Sequence, residues 1–187
     1  KSADSATTQS VSSIAAPWQV VPDPGLQGAP ATTGPSALVL SSSGSAAMAM
    51  DFNGDGKSDL LLRNADTTQN LIWSAADSLA VQSVSSATGA WTVSGMGDFN
   101  GDHRSDILWR NESSGQNALW LSANSATGQS VASVSAPWGV AGVGDFNGDG
   151  KSDILWRHAI TGQNSIWSSA DPAAGISVAS LGAPWTV

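Results

Sequence analysis

Asp51-Phe52-Asn53-Gly54-Asp55 is repeated residue for residue at Asp98 and again at Asp145, each copy 47 positions after the one before (98 − 51 and 145 − 98). The same interval joins Arg63 to Arg110 and Arg157, Trp73 to Trp120 and Trp167, and Trp91 to Trp138 and Trp185. Three copies in strict register, without insertion, are the mark of a repeat architecture. Within a copy, a Gly-rich apolar stretch such as residues 139–144 leads into the acidic loop, and Asp153-Ile154-Leu155-Trp156-Arg157 follows as a short strand. A turn at Thr161-Gly162 precedes a second strand near Ser165-Ile166-Trp167, and Ile176 to Leu181 supplies another. Four short strands in 47 residues predict an all-β fold, a β-propeller built from four-stranded blades. Helical solenoids have similar periods, but 20 glycines and the lack of a 3.6-residue apolar pattern exclude them.

The spacing places full blades at residues 45–91, 92–138 and 139–187. Residues 1–18 match residues 121–138 at 12 of 18 positions, ending in Ala16-Pro17-Trp18 against Ala136-Pro137-Trp138, and read as a partial blade or outer strand. Asp51 follows Trp18 by 33 positions, where the other copies need 7, so 26 residues are extra. They include the breaker-rich run Val21-Pro22-Asp23-Pro24-Gly25, and residues 19–44 read as a linker or arm with a possible degenerate strand at Ser36 to Ser41. Three blades and an orphan strand leave open β-edges, which closure within the chain or pairing with a second copy would satisfy; a homo-oligomer or polymer built through the N-terminal strand is the expected assembly.

Composition narrows the function. A formal charge of −8, with only seven basic residues and those dispersed, argues against nucleic acid and anionic membrane as partners. With no cysteine, neither a disulfide framework nor a thiolate metal site is possible. No apolar run is long enough to insert in a membrane, and Lys1 opens a polar stretch rather than a signal peptide, so a processed or trimmed end is expected.

The acidic loops carry the chemistry. They read Asp51-x-Asn53-x-Asp55-Gly56-x-x-Asp59, Asp98-x-Asn100-x-Asp102-His103-x-x-Asp106 and Asp145-x-Asn147-x-Asp149-Gly150-x-x-Asp153. Alternate oxygens at positions 1, 3 and 5, a carboxylate at 9 and the main-chain carbonyl at 7 (Lys57, Arg104, Lys151) let a tight loop wrap a hard cation, and all-oxygen ligation selects Ca²⁺. Nine of the 15 acidic residues lie in these loops, where they would repel one another without a counter-ion. An EF-hand needs a bidentate Glu at position 12, but Leu62, Trp109 and Trp156 stand there. Three structural calcium sites of about 10⁻⁵ to 10⁻³ M affinity, suited to extracellular calcium, are expected. His103 replaces the permissive glycine, so the second loop is expected to be strained or weaker.

The Asp-Phe-Asn-Gly-Asp-Gly loop followed by Asp-Ile-Leu-Trp-Arg resembles the FG-GAP or VCBS repeat family over residues 45–187, and partially over 1–18. That family includes the calcium-binding blades of integrin α-subunit propellers, bacterial surface proteins and fungal propeller lectins. The resemblance implies calcium ligands at the loop positions above and a secreted, extracellular or cell-surface setting; a bacterial source is expected. It does not imply a single function, because the family spans adhesins, lectins and modules appended to enzymes.

Nine Trp with no Tyr invite a lectin reading. Trp109 and Trp156 lie in strands, and Trp73, Trp120 and Trp167 recur at one blade position, so packing between blades accounts for them. Trp18, Trp91, Trp138 and Trp185, near strand ends, are the candidates for stacking on glycans, with Arg63, Arg110 and Arg157 as partners for sugar hydroxyls. Each of these arginines also follows a loop carboxylate by four residues and could instead orient it. No enzyme is expected: there is one Glu, neither His is paired with a nucleophile, and no Gly-x-Ser-x-Gly elbow occurs. A structural or adhesive scaffold is the leading expectation, and a carbohydrate-binding lectin the alternative.

Overall fold

The computed structural model describes residues 18–20 and 50–182. Among these described residues, twelve strands form three four-stranded antiparallel sheets. The first joins β1 (Trp18–Val20), β2 (Leu60–Asn64), β3 (Asn70–Trp73) and β4 (Val81–Val84). The second runs β5 (Trp91–Gly97), β6 (Asp106–Asn111), β7 (Asn117–Trp120) and β8 (Gly128–Val131), and the third β9 (Trp138–Gly144), β10 (Asp153–His158), β11 (Asn164–Trp167) and β12 (Gly175–Val178). Each sheet is a meander of sequential strands, as the repeat predicts. Among the described residues no ring is closed.

Register repeats with the sequence. Trp91 pairs with Asn111 and Val93 with Trp109, and Trp138 pairs with His158 and Val140 with Trp156. In the first sheet Trp18 pairs with Asn64 and Val20 with Leu62, the same positions one period earlier. β1 therefore straddles the boundary drawn at residue 18 and serves as the first strand of the first blade. In the second sheet a bulge separates Val93 from Gly95, and one residue, Ser94, lies between them. In the first sheet 29 residues lie between Val20 and Met50, where three lie between Val93 and Gly97, so the extra chain enters at or beside the bulge position. Residues 1–17, 21–49 and 183–187, with most of the proposed arm and Trp185, lie outside the described residues.

Two apolar cores lie between successive sheets. Phe52, Leu61, Ile72 and Val84 of the first blade pack on Met96, Ile107, Trp109 and Ala123 of the second. Phe99, Leu108, Leu119 and Val131 of the second pack in the same way on Ile154, Trp156 and Ala170 of the third. Strand alternation sends one set of side chains to each face, so each blade is apolar on both. Glycine allows the close approach: a Cβ at Gly95 would collide with Val143, and one at Gly97 with Ser152. These residues are what stack the blades and bring the acidic loops to a common end.

Candidate functional site

In the first loop the Asp51 carboxylate accepts N–H bonds from Gly54 (2.6 Å), Asp55 (3.2 Å) and Gly56 (2.7 Å). Asn53 Oδ1 accepts from the Asp55 N–H and Asp55 Oδ1 from the Lys57 N–H, both at 2.9 Å. The second loop repeats this with Asp98 receiving Gly101, Asp102 and His103, Asn100 receiving Asp102, and Asp102 receiving Arg104. The third repeats it with Asp145, Asn147 and Asp149. Three nests of main-chain N–H groups thus each wind around the first aspartate of their loop. In the third, donation from Gly150 above all, then from Gly148, Asp149 and Asn147, holds the exposed Asp145 carboxyl below the usual carboxylate range.

The ninth-position aspartates behave differently. Asp59, Asp106 and Asp153 are fully buried. Asp59 Oδ2 accepts from the Phe52 N–H and Oδ1 from the Ala75 N–H, both at 2.9 Å. Asp106 bridges Phe99 and Ser122, and Asp153 bridges Phe146 and Ser169, in the same way. Each carboxylate ties the start of its acidic loop to the 3-10 turn after the third strand. There Ala75, Ser122 and Ser169 take left-handed φ values of 51°, 48° and 50°, which non-glycine residues adopt only at a cost. This tie was not read from the sequence; its one signal is that the same small residue pairs, such as Ser122-Ala123 and Ser169-Ala170, recur 47 positions apart. Burial raises the Asp106 pKa to about 6, outweighing the Ser122 and Phe99 hydrogen bonds, and the nearby charges of Asp102 and Asp98 add to the rise.

The loops gather around a cavity of about 300 Å³ lined by Asp51, Gly56, Asp98, His103 and Gly150. Neighbouring blades lend partial compensation: the Arg104 side chain crosses Gly54, where a Cβ would sit 3.2 Å from Nε, and Lys151 crosses Gly101 in the same way. Among the described residues no three His, Cys, Asp or Glu side chains converge into a ready coordination shell. As a donor set, the oxygens at positions 1, 3 and 5 suit a hard cation, since an oxygen that accepts one N–H keeps a further lone pair. The ninth carboxylate is already engaged at both oxygens.

His103 sits at φ 64°, in the left-handed conformation that Gly56 (80°) and Gly150 (84°) adopt freely. Its side chain is in solvent, with Nδ1 3.9 Å from Asp98 Oδ2. His103→Gly is therefore expected to stabilise the protein by up to about 1 kcal/mol, read as a higher urea midpoint with unchanged slope; a lower midpoint would show that the backbone there is not strained.

The recurrent arginines do not orient the loop carboxylates. Four residues of strand span about 13 Å, so Arg63 lies at the far end of β2 from Asp59. Its guanidinium donates to the Asn70 side chain and to the carbonyls of Ala87 and Trp91, and stacks 5.2 Å over Trp109 of the next blade. Arg110 donates to Asn117 and to the carbonyls of Val134 and Trp138 and lies 5.3 Å over Trp156. Arg157 donates to Asn164 and to the Leu181 carbonyl. Arg63 and Arg110 thus stitch their blades to the strand that opens the next. Trp91 and Trp138 are partly buried against the two cores, and Trp138 meets His158 edge-on at 5.1 Å.

Fold and loops together define a β-blade repeat protein whose blades stack through apolar faces and project acidic loops from one end. The chain belongs to the FG-GAP-like repeat family, whose family model matches residues 51–109 and again 98–156. No curated protein and no solved structure matches it. Among the described residues no helix is long and apolar enough to cross a membrane.

Proposed function

We propose that the chain is a non-enzymatic, calcium-stabilised module of the β-propeller type that serves as a structural or adhesive element in the extracellular or cell-surface space. The observation that carries this reading is the threefold repetition of one preorganised loop. Asp51, Asn53 and Asp55, with their counterparts Asp98, Asn100, Asp102 and Asp145, Asn147, Asp149, are held by their own main-chain N–H groups. Calcium bound there would neutralise the crowded carboxylates, and the carbonyls of Lys57, Arg104 and Lys151 would add to the oxygen set, while the ninth aspartates hold each loop to its turn. The three loops share one geometry because they share one sequence, so a single cation chemistry would serve all three.

Self-association belongs to this proposal. The N-terminal strand expected to mediate it, within residues 1–18, lies outside the described residues except for Trp18, which pairs inside its own sheet. Carbohydrate recognition ranks second, because Arg63 and Arg110 direct guanidinium donors to main-chain carbonyls and asparagines.

The test is thermal unfolding in millimolar calcium and in EGTA. Three sites of the affinity expected of such loops would raise Tm by about 10 °C in calcium. A Tm indifferent to chelator sinks the calcium reading.

A further inference from the structure

We infer that Arg104 and Lys151 each lower the calcium affinity of the acidic loop in the blade before their own, so that the strength of a site is set by the neighbouring blade as well as by its own loop. The inference deepens the calcium reading of the proposed function and rests on it.

Its ground is a two-residue bridge that recurs at both blade contacts. Arg104 is the seventh residue of the second loop, and its main chain stays there, with its N–H donating to Asp102 Oδ1 at 2.9 Å. Its side chain leaves for the first loop, where Nε, Cγ and Cδ lie 3.2, 3.4 and 3.8 Å from the place a Cβ would take on Gly54. Ser105, the next residue, is buried and bonds the first loop's leading aspartate twice. It donates its N–H to the Asp51 carbonyl at 2.7 Å and accepts the Asp51 N–H on Oγ at 3.0 Å. Lys151 and Ser152 repeat the arrangement one blade later. The Lys151 N–H donates to Asp149 Oδ1 at 2.8 Å, its Cε lies 3.2 Å from the Cβ place on Gly101, and the Ser152 N–H donates to the Asp98 carbonyl at 2.6 Å.

The serine thus fixes where the two loops meet, and the basic side chain beside it is laid across the fourth residue of the foreign loop. Gly54 stands between Asn53 and Asp55, and Gly101 between Asn100 and Asp102, so each cation is set beside the third and fifth residues of the oxygen set. Among the described residues Arg104 forms no ion pair with a carboxylate of that loop, so its charge acts through space on the whole set. In the calcium-free loop that charge relieves the repulsion between aspartates; toward a bound calcium ion it is a like charge. The side chain therefore favours the calcium-free loop over the loaded one, and binding is weakened by the difference.

A calcium titration of the full chain, followed by the amide signals of Gly54, Gly101 and Gly148, gives each loop its own reporter, because each of these N–H groups donates to the first aspartate of its loop. Arg104→Gln keeps the main-chain carbonyl and is expected to lower the calcium midpoint read at Gly54 by about threefold to tenfold, with Gly148 unmoved. Arg104→Lys, which keeps the charge, should restore the parent midpoint at Gly54, and Lys151→Gln should act at Gly101 as Arg104→Gln acts at Gly54. The side chain of Arg104 is exposed, so the gain should shrink as salt rises from about 0.02 M to about 0.5 M. A Gly54 midpoint that Arg104→Gln leaves in place, a larger shift at Gly101 in the residue's own loop, or an Arg104→Lys variant that behaves like the glutamine overturns the inference while the calcium reading stands. Parent signals that fail to move in millimolar calcium overturn both.

Discussion

Asp106→Ala is expected to lower unfolding stability by about 3 kcal/mol or more. The carboxylate is buried and accepts the Phe99 N–H at 2.9 Å and the Ser122 N–H at 2.8 Å. Hydrogen bonds to a charged group contribute about 1.5–3 kcal/mol each, and alanine leaves two buried donors without an acceptor. The loss also frees Ser122, at φ 48°, from the contact that holds its turn. Urea unfolding in EGTA measures this without interference from a lost metal ligand. Asp106→Asn, which keeps one accepting oxygen, should fall between the parent and alanine. A change below about 1 kcal/mol would mean that the carboxylate is not the tie between loop and turn.

Trp109→Ala is expected to cost about 3–5 kcal/mol, the range for deleting a large buried aromatic. The ring is 1% exposed, lies in the core between the first and second blades, contacts Trp120 at 4.9 Å and carries the Arg63 guanidinium on its face. Its Nε1 makes no hydrogen bond, so the loss is one of packing. Because Trp109 joins two blades, the variant should also blunt the unfolding transition, with the first blade separating earlier than the others. Equilibrium unfolding followed by tryptophan fluorescence and by far-UV circular dichroism checks this, and coincident transitions with a loss under about 1 kcal/mol would contradict it.

The strands were legible in the sequence because a 47-residue repeat aligns three examples of each, so one ambiguous apolar run is read beside two others. β9 to β12 fall where the glycine-rich stretch, the Asp153 segment, the Trp167 segment and the Ile176 segment placed them. What spacing could not supply was direction. Counting four residues from Asp59 to Arg63 suggested proximity, but an extended strand carries them apart, and the arginine turns to Trp91 of the next blade. Nor could spacing show that the ninth aspartate is shared between the loop and a turn 16 residues later, since neither Ala75 nor Ser122 has a side chain that advertises a left-handed backbone. Trp18–Val20 opens the first sheet as Trp91–Val93 opens the second, and the rest of the outer strand expected within residues 1–18 lies outside the described residues.

The insertion after Val20 also governs the order in which the molecule can form. Val93 and Trp109 pair across 16 positions, whereas Val20 and Leu62 pair across 42. Bringing the more distant pair together costs about 0.9 kcal/mol more chain entropy, in return for three residue pairs among the described residues. The second and third sheets can zip from contacts close in sequence, so they nucleate, while the first sheet gains its leading strand late and gives it up first. Amide protons of β2 that face β1 should accordingly exchange with solvent faster than those of β6 and β10 at matching positions.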